Sequence, residues 1–343
     1  MRLGISSFLL LFLALLSFQC AQPVNAQTSL PSTPPANIPP PPGYGPPGQS
    51  SGDHKLKSDV ELVALHVTVA DQHGNFVPNL NSGNFRVFEN KIEQKISLFS
   101  RDDVPVTMGL IIDNSASMRE KREQVNTAAM TFVRTSNPQD EAFVVNFNDE
   151  YYLDTDGDFT SDEKNLEEAL SRIDSRGSTA FYDALVGSLE HLKKAHRDKR
   201  VLLVVTDGVD NSSRESFEDT VKVAEQSNAA IYAIGVFSED DREHAKADVR
   251  KAKRDLKTLA DATGGQAYFP DTLADVAPIC QQVAHEIRNQ YTLGYYPTDA
   301  SKDGTFRVLK VDVIPPSGYE KLSVRTRIGY YAPKAQPQTA SGN

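Results

Sequence analysis

Val201-Leu202-Leu203-Val204-Val205 is apolar at every position, so a strand formed there has no face to offer water. Such a strand has to be covered on both sides, and helices crossing a parallel sheet supply that cover. Similar apolar segments occur at 106–112, 142–147, 230–236 and 266–269. Between and after them lie helix-like stretches near 118–136, 162–173, 180–196, 215–227, 245–262 and 278–289. The alternation predicts an α/β domain over residues 104–289, a doubly wound, mostly parallel sheet of Rossmann-like order with right-handed crossovers.

On both sides of this region the pattern changes to period two. Val63, Leu65, Val67 and Val69 alternate with Ala64, His66 and Thr68, and short strands are expected at 85–88 and 96–99. Downstream, Leu309, Val311 and Val313 alternate with Lys310 and Asp312. Neither flank has enough strands to be stable alone. Residues 58–103 plus 290–332 are therefore expected to combine into a small discontinuous β-sandwich-like domain, with the α/β domain inserted. The alternative is two separate edge additions to the central sheet. His66 and His73 have no ligand-spaced partner and read as structural.

The ends carry different signals. Arg2, the apolar run at 8–18 and Val24-Asn25-Ala26 describe a secretory signal peptide over residues 1–26, cut ahead of Gln27. This implies a secreted or periplasmic (cell-envelope) protein. Residues 27–57, rich in Pro, Gly and Ser, read as a disordered linker, and 333–343 as a disordered tail. Beyond the first 20 residues no apolar run approaches the ~18 needed to span a bilayer. Loss of Cys20 with the signal leaves Cys280 alone, without an internal disulfide. Lys+Arg 36 against Asp+Glu 46 gives a charge of −10, which argues against a general nucleic-acid binder. HExxH and CxxC spacings are absent, which argues against zinc.

One constellation carries chemistry. The strand ending at Ile112 runs into Asp113-Asn114-Ser115-Ala116-Ser117, directly before a helix. The strand ending at Thr206 runs into Asp207-Gly208, and a third loop, Arg176-Gly177-Ser178-Thr179, precedes another helix. Ligands of open α/β sheets bind beyond the carboxyl ends of the strands. Oxygens from three loops can then surround one point. They are hard donors with no His or Cys among them, which suits Mg²⁺, with Mn²⁺ or Ca²⁺ as further options. Capping of the following helix by Asp113 and Ser117 accounts for one or two of these residues but not five.

These residues resemble a von Willebrand factor A-type domain with a metal-ion-dependent adhesion site. The pattern D-x-S-x-S with a distant Thr and a distant Asp is matched here by Asp113, Ser115, Ser117, Thr179 and Asp207. The stretch from Ile287 to Tyr296, with Asp71-x-x-Gly74 and Phe85-x-Val87-x-Glu89-Asn90, resembles bacterial secreted members, including von Willebrand factor A-related proteins of Acidobacteria. The resemblance implies that Ser115, Ser117 and Thr179 touch the ion while Asp113 and Asp207 act through waters or as outer acceptors. It also implies a protein partner that presents an Asp or Glu carboxylate.

Other motifs carry less. Asp154-Thr155-Asp156-Gly157-Asp158 starts like a calcium loop, but the sixth and twelfth places hold Phe159 and Asn165. Asp183 and Asp210 border the proposed site or are plain surface carboxylates. The mixed-charge stretch 239–257 reads as an exposed loop and helix face. Gly264-Gly265 reads as a helix C-cap, and no phosphate-binding glycine motif occurs. The expectation is a non-enzymatic binding and adhesion module. The alternatives are an envelope structural or assembly factor with a vestigial metal site, and a phosphoryl hydrolase using Asp113 as nucleophile. Hydrolases of that kind usually place a second acid where this chain has Ser115.

Overall fold

The structure, a computed structural model, describes residues 61–172 and 175–335. The expected signal peptide and linker, and residues 336–343 of the expected tail, lie outside the described residues.

The apolar segments form a six-stranded sheet. Its strands are β5 (Val106–Asp113), β6 (Glu141–Phe147), β7 (Tyr151–Leu153), β8 (Lys199–Thr206), β9 (Ala229–Gly235) and β10 (Ala267–Tyr268). Their order is β10-β9-β8-β5-β6-β7, parallel throughout except for the antiparallel edge strand β7. Every residue of β5 is buried, Thr107 and Asp113 included, as a central strand covered on both faces requires. Its alternate residues face two cores. Met108, Leu110 and Ile112 pack with α1 (Arg122–Thr135) and α7 (Val276–Asn289) through Val125, Phe132, Val283 and Ile287. Ile111, with Phe143, Leu202 and Val204 of the neighbouring strands, packs with α3 (Phe181–His191), α4 (Phe217–Gln226) and α6 (Lys246–Thr263). Helix α2 (Glu163–Ser171) adds Leu166, Ala169 and Leu170 to the first core. A further short helix, α5 (Glu239–His244), precedes α6, which ends at Gly264 in the left-handed conformation, φ 83°.

The flanking segments pair with each other. Strands β1 (Val63–Ala70), β2 (Phe85–Glu89), β3 (Ile92–Gln94) and β4 (Ile96–Ser100) precede the α/β region. Strands β11 (Tyr291–Tyr295), β12 (Phe306–Val313), β13 (Ser323–Arg325) and β14 (Gly329–Tyr331) follow it. They form two four-stranded sheets, β13-β1-β11-β4 and β14-β12-β2-β3, each drawing on both flanks, and none of these strands extends the six-stranded sheet. Leu65, Val67 and Val69 of β1 meet Phe85, Val87, Leu309 and Val311 in a core between the two, sealed by Tyr291, Leu293 and Tyr295. Past the strands, the backbone at Lys334 forms an isolated antiparallel bridge with that at Asp303.

A buried carboxylate ties these layers to the α/β part. Glu286 of α7 accepts hydrogen bonds from Thr68 of β1 (3.0 Å), Tyr232 of β9 (2.7 Å) and Arg325 of β13 (2.5 Å). A buried charge is tolerated when it is paired and hydrogen-bonded on this scale.

His66 lies on β1 with Nδ1 3.3 Å from Thr292 Oγ1. Burial, with the cations Lys199 and Arg327 nearby, lowers its pKa to about 3. The unfolded chain takes up this proton near pH 6.5, whereas the folded chain keeps the ring neutral until about pH 3. Stability therefore falls as pH drops through that window, with a slope approaching ~1.4 kcal/mol per pH unit for one proton. Urea unfolding of wild type and His66→Gln between pH 4 and 7 checks this, and the variant should show a shallower slope.

Candidate metal centre

Strand β5 is the switch point of the sheet. The chain leaves it for β6 on one side and returns as β8 on the other. Helix α1 then covers one face and α4 the other, and the loops after β5 and β8 diverge to leave a crevice between them. Asp113 ends β5, and Asp207 follows Thr206 at the end of β8.

Asp113 has no exposed surface. Its Oδ1 accepts from the Ser115 backbone N–H (2.8 Å) and its Oδ2 from the Thr206 hydroxyl (2.5 Å). Burial, and after it the charge of Asp207, push this carboxyl up to about 6, against the pull of the bonds from Thr206 and Ser115. The nearby buried guanidinium of Arg122 interacts electrostatically with this carboxylate.

From that anchor the hydroxyls form a chain. Ser115 Oγ lies 3.1 Å from Ser117 Oγ, and Ser117 Oγ donates to Asp207 Oδ1 at 2.8 Å. Asp113, Ser115 and Asp207 are buried while Ser117 is exposed, so the chain runs from the protein interior to solvent.

Thr179 arrives on the third loop. Gly177 turns it with φ +71°, and a Cβ there would lie 2.0 Å from Asp149 Oδ2, so glycine is required. Asp149 Oδ1 accepts from Ser178 N (2.7 Å). Thr179 N donates to Asn211 Oδ1 (2.9 Å), and Asn211 N donates back to the Thr179 carbonyl (3.1 Å). A Cβ on Gly208 would stand 3.1 Å from Thr179 Oγ1, so this hydroxyl lies against the turn that carries Asp207. The structure thus joins Asp113, Ser115, Ser117 and Asp207 in one hydrogen-bonded chain and sets Thr179 beside Gly208.

Three residues that the sequence pattern does not flag complete the crevice. Asn114 links the first and third loops, donating its N–H to the Phe147 carbonyl (2.6 Å) and accepting from Arg176 N and the Ser175 hydroxyl. Lys121, directly before α1, donates from Nζ to Asp207 Oδ2. The same Nζ lies 3.7 Å from Oδ2 of Asp241, on α5. Lys121 stands four residues after Ser117, a spacing that brings side chains together on a helical turn. No local signal pairs it with Asp241.

The remaining candidates have structural partners. Arg172 neutralises Asp154 and Asp156, and Lys194 neutralises Asp158, so this turn is an ion-paired surface element. Asp210 accepts from Tyr182 N and the Ser213 hydroxyl, and Asp183 accepts from the Arg214 and Glu215 N–H groups. These two carboxylates brace the loop after β8 onto α3. Cys280 is fully buried, and burial pushes its thiol up to about 12.

The family model for the von Willebrand factor type A domain matches residues 108–209, a span that begins in β5 and ends just past Asp207. This segment is a von Willebrand factor A domain. Several solved structures have a similar arrangement. A von Willebrand factor type A protein from Catenulispora acidiphila is 12% identical, covers 80% of this chain and 75% of its own, and has a TM-score of 0.48. The corresponding domain of a type V pilus tip protein from Porphyromonas gingivalis is 13% identical, over 54% of this chain and 95% of its own, with a TM-score of 0.45. Proximal thread matrix protein 1 of the mussel byssus, solved with zinc in its adhesion-site motif, is 17% identical over 58% of this chain, with a TM-score of 0.45. The chain spans about half of the mussel protein's length, 49%. No curated protein matches the chain.

Among the described residues no three His, Cys, Asp or Glu side chains gather as a metal-binding group, so an ion in this von Willebrand factor A domain would depend on hydroxyls. The oxygen-only set around Ser115, Ser117 and Thr179 fits a hard dication of the Mg²⁺ type. The buried Asp113, whose ionised form burial disfavours, fits a cation as well. Removing one donor from this carboxylate should be costly. Thr206→Val leaves a buried Oδ2 without its hydroxyl donor, and chemical denaturation without added metal should show a loss of ~1–3 kcal/mol.

Proposed function

We propose that the von Willebrand factor A domain binds a protein partner through a divalent ion, Mg²⁺ in the first instance, which accepts an Asp or Glu carboxylate from that partner. Ser115, Ser117 and Thr179 would hold the ion through neutral oxygens, with Asp113 and Asp207 acting as outer acceptors. Neutral donors leave a dication strongly electron-poor, and the ion supplies an attraction for an external anion that outweighs the acidic surface of the chain. The observation that carries this reading is the hydroxyl chain Ser115–Ser117–Asp207, rooted on buried Asp113 and open to solvent at Ser117.

We read the crevice as a binding site, since a hydrolase with Asp113 as nucleophile usually places a second acid where this chain has Ser115, whose hydroxyl meets that of Ser117. We place the protein in the secreted or periplasmic compartment on the signal sequence at 1–26. Among the described residues no helix is long and apolar enough to cross a membrane.

A second reading has an observation of its own. Lys121 already covers one oxygen of Asp207, as it would in an envelope assembly factor whose metal site is vestigial.

Calorimetric titration with Mg²⁺ separates the two. Wild type should bind and Asp113→Ala should not, whereas no heat from wild type would favour the vestigial site. Thr179→Ala should weaken binding at least about tenfold while its circular dichroism stays native. In envelope extract, a partner retained by the wild-type chain should be released by EDTA.

A further inference from the structure

Asp207 serves two donors at once. Its Oδ1 accepts from Ser117, on the side of the hydroxyl chain, and its Oδ2 accepts from Lys121. The ammonium is not a passing surface charge. The Lys121 side chain is 11% exposed, and that of Asp207 is 1% exposed. Behind Lys121 stands Asp241 at 3.7 Å, and Asp241 is itself fixed, its Oδ2 accepting from the Ser238 N–H (2.9 Å) and hydroxyl (2.6 Å). Lys121 is therefore clamped between two carboxylates, one directly after β8 and one on α5.

We infer that Lys121 is a built-in cation that biases Asp207 toward one oxygen and sets the affinity of the crevice for a divalent ion. This inference rests on the metal-binding reading above. Asp207 and Asp241 present two negative charges to Lys121, and the ammonium cancels one of them. A dication entering beside Ser117 meets an ammonium on the far oxygen of the same carboxylate. Like charges that close repel strongly in a partly desolvated crevice. The lysine therefore lowers affinity for the free ion. It acts in the opposite sense on an incoming carboxylate, which it attracts. Binding of ion and anion is thereby coupled: the ion is held weakly alone and more firmly once an anion has joined it. The position also biases how Asp207 participates, because its Oδ2 already serves the ammonium while its Oδ1 faces the hydroxyl chain.

The test is a Mn²⁺ titration by calorimetry of the full chain, wild type against Lys121→Met, with and without acetate as an anionic probe. Lys121→Met should bind Mn²⁺ at least about tenfold more tightly than wild type. Acetate should tighten Mn²⁺ binding by wild type more than by the variant. Binding by the variant alone, with none by wild type, also supports the inference, since the lysine then suppresses the ion outright. If wild type binds and the variant binds equally or less tightly, Lys121 is a structural counter-ion and the inference is overturned while the metal reading stands. If both chains are folded and neither binds, the metal reading falls and takes this inference with it. Should Lys121→Met fail to fold, Lys121→Gln, which keeps a donor for Asp207, gives the same comparison.

Discussion

A carboxylate with no solvent contact has to be satisfied by its surroundings, and Asp113 imposes that demand at the centre of the molecule. Two of its needs are met by Ser115 N–H and Thr206 Oγ1, which tie the end of β5 to its own following turn and to the end of β8. This carboxylate thereby fixes the geometry of two adjacent loops. The bonds do not fully offset burial, as the raised pKa shows. Ser115, Ser117 and Asp207 are linked to this anchor by hydrogen bonds, and Thr179 lies against Gly208, the residue after Asp207.

The rest of the fold holds the crevice without entering it. Helices bury both faces of β5 and β8. The β layers attach through Glu286, which gathers Thr68, Tyr232 and Arg325 around one buried carboxylate on α7. The two buried acids have contrasting environments. Glu286 meets an arginine within the protein, whereas Asp113 faces a second acid, Asp207, whose own counter-charge is the neighbouring Lys121.

Much of this was legible in the chain because strong periodicities report burial directly. β5 and β8 are apolar on both faces, and the D-x-S-x-S segment follows the first of them without a gap. Boundaries were less visible. The helix read from 118 begins at Arg122, since residues 116–118 form a tight 3₁₀ turn that carries the serines toward Asp207. β7 escaped notice because Tyr151, Tyr152 and Leu153 are all about half exposed, which breaks the burial alternation that betrays a strand. Helix α5 falls where the mixed charge of 239–257 reads as exposed loop. It has no buried residue, and its placement comes from Ser238 and Asp241 capping each other. For the same reason the Lys121–Asp241 contact has no signature in sequence: it joins the start of α1 to α5 and depends on where the sheet sets these two helices.

The account stands on an ion lying among Ser115, Ser117 and Thr179. The most direct measurement is an anomalous-scattering map from crystals grown with Mn²⁺. A single peak within bonding distance of those three hydroxyl oxygens, with Asp207 still held by Lys121, is the predicted result. No peak in that crevice at saturating Mn²⁺, or one confined to the Asp154–Asp158 turn, would contradict it.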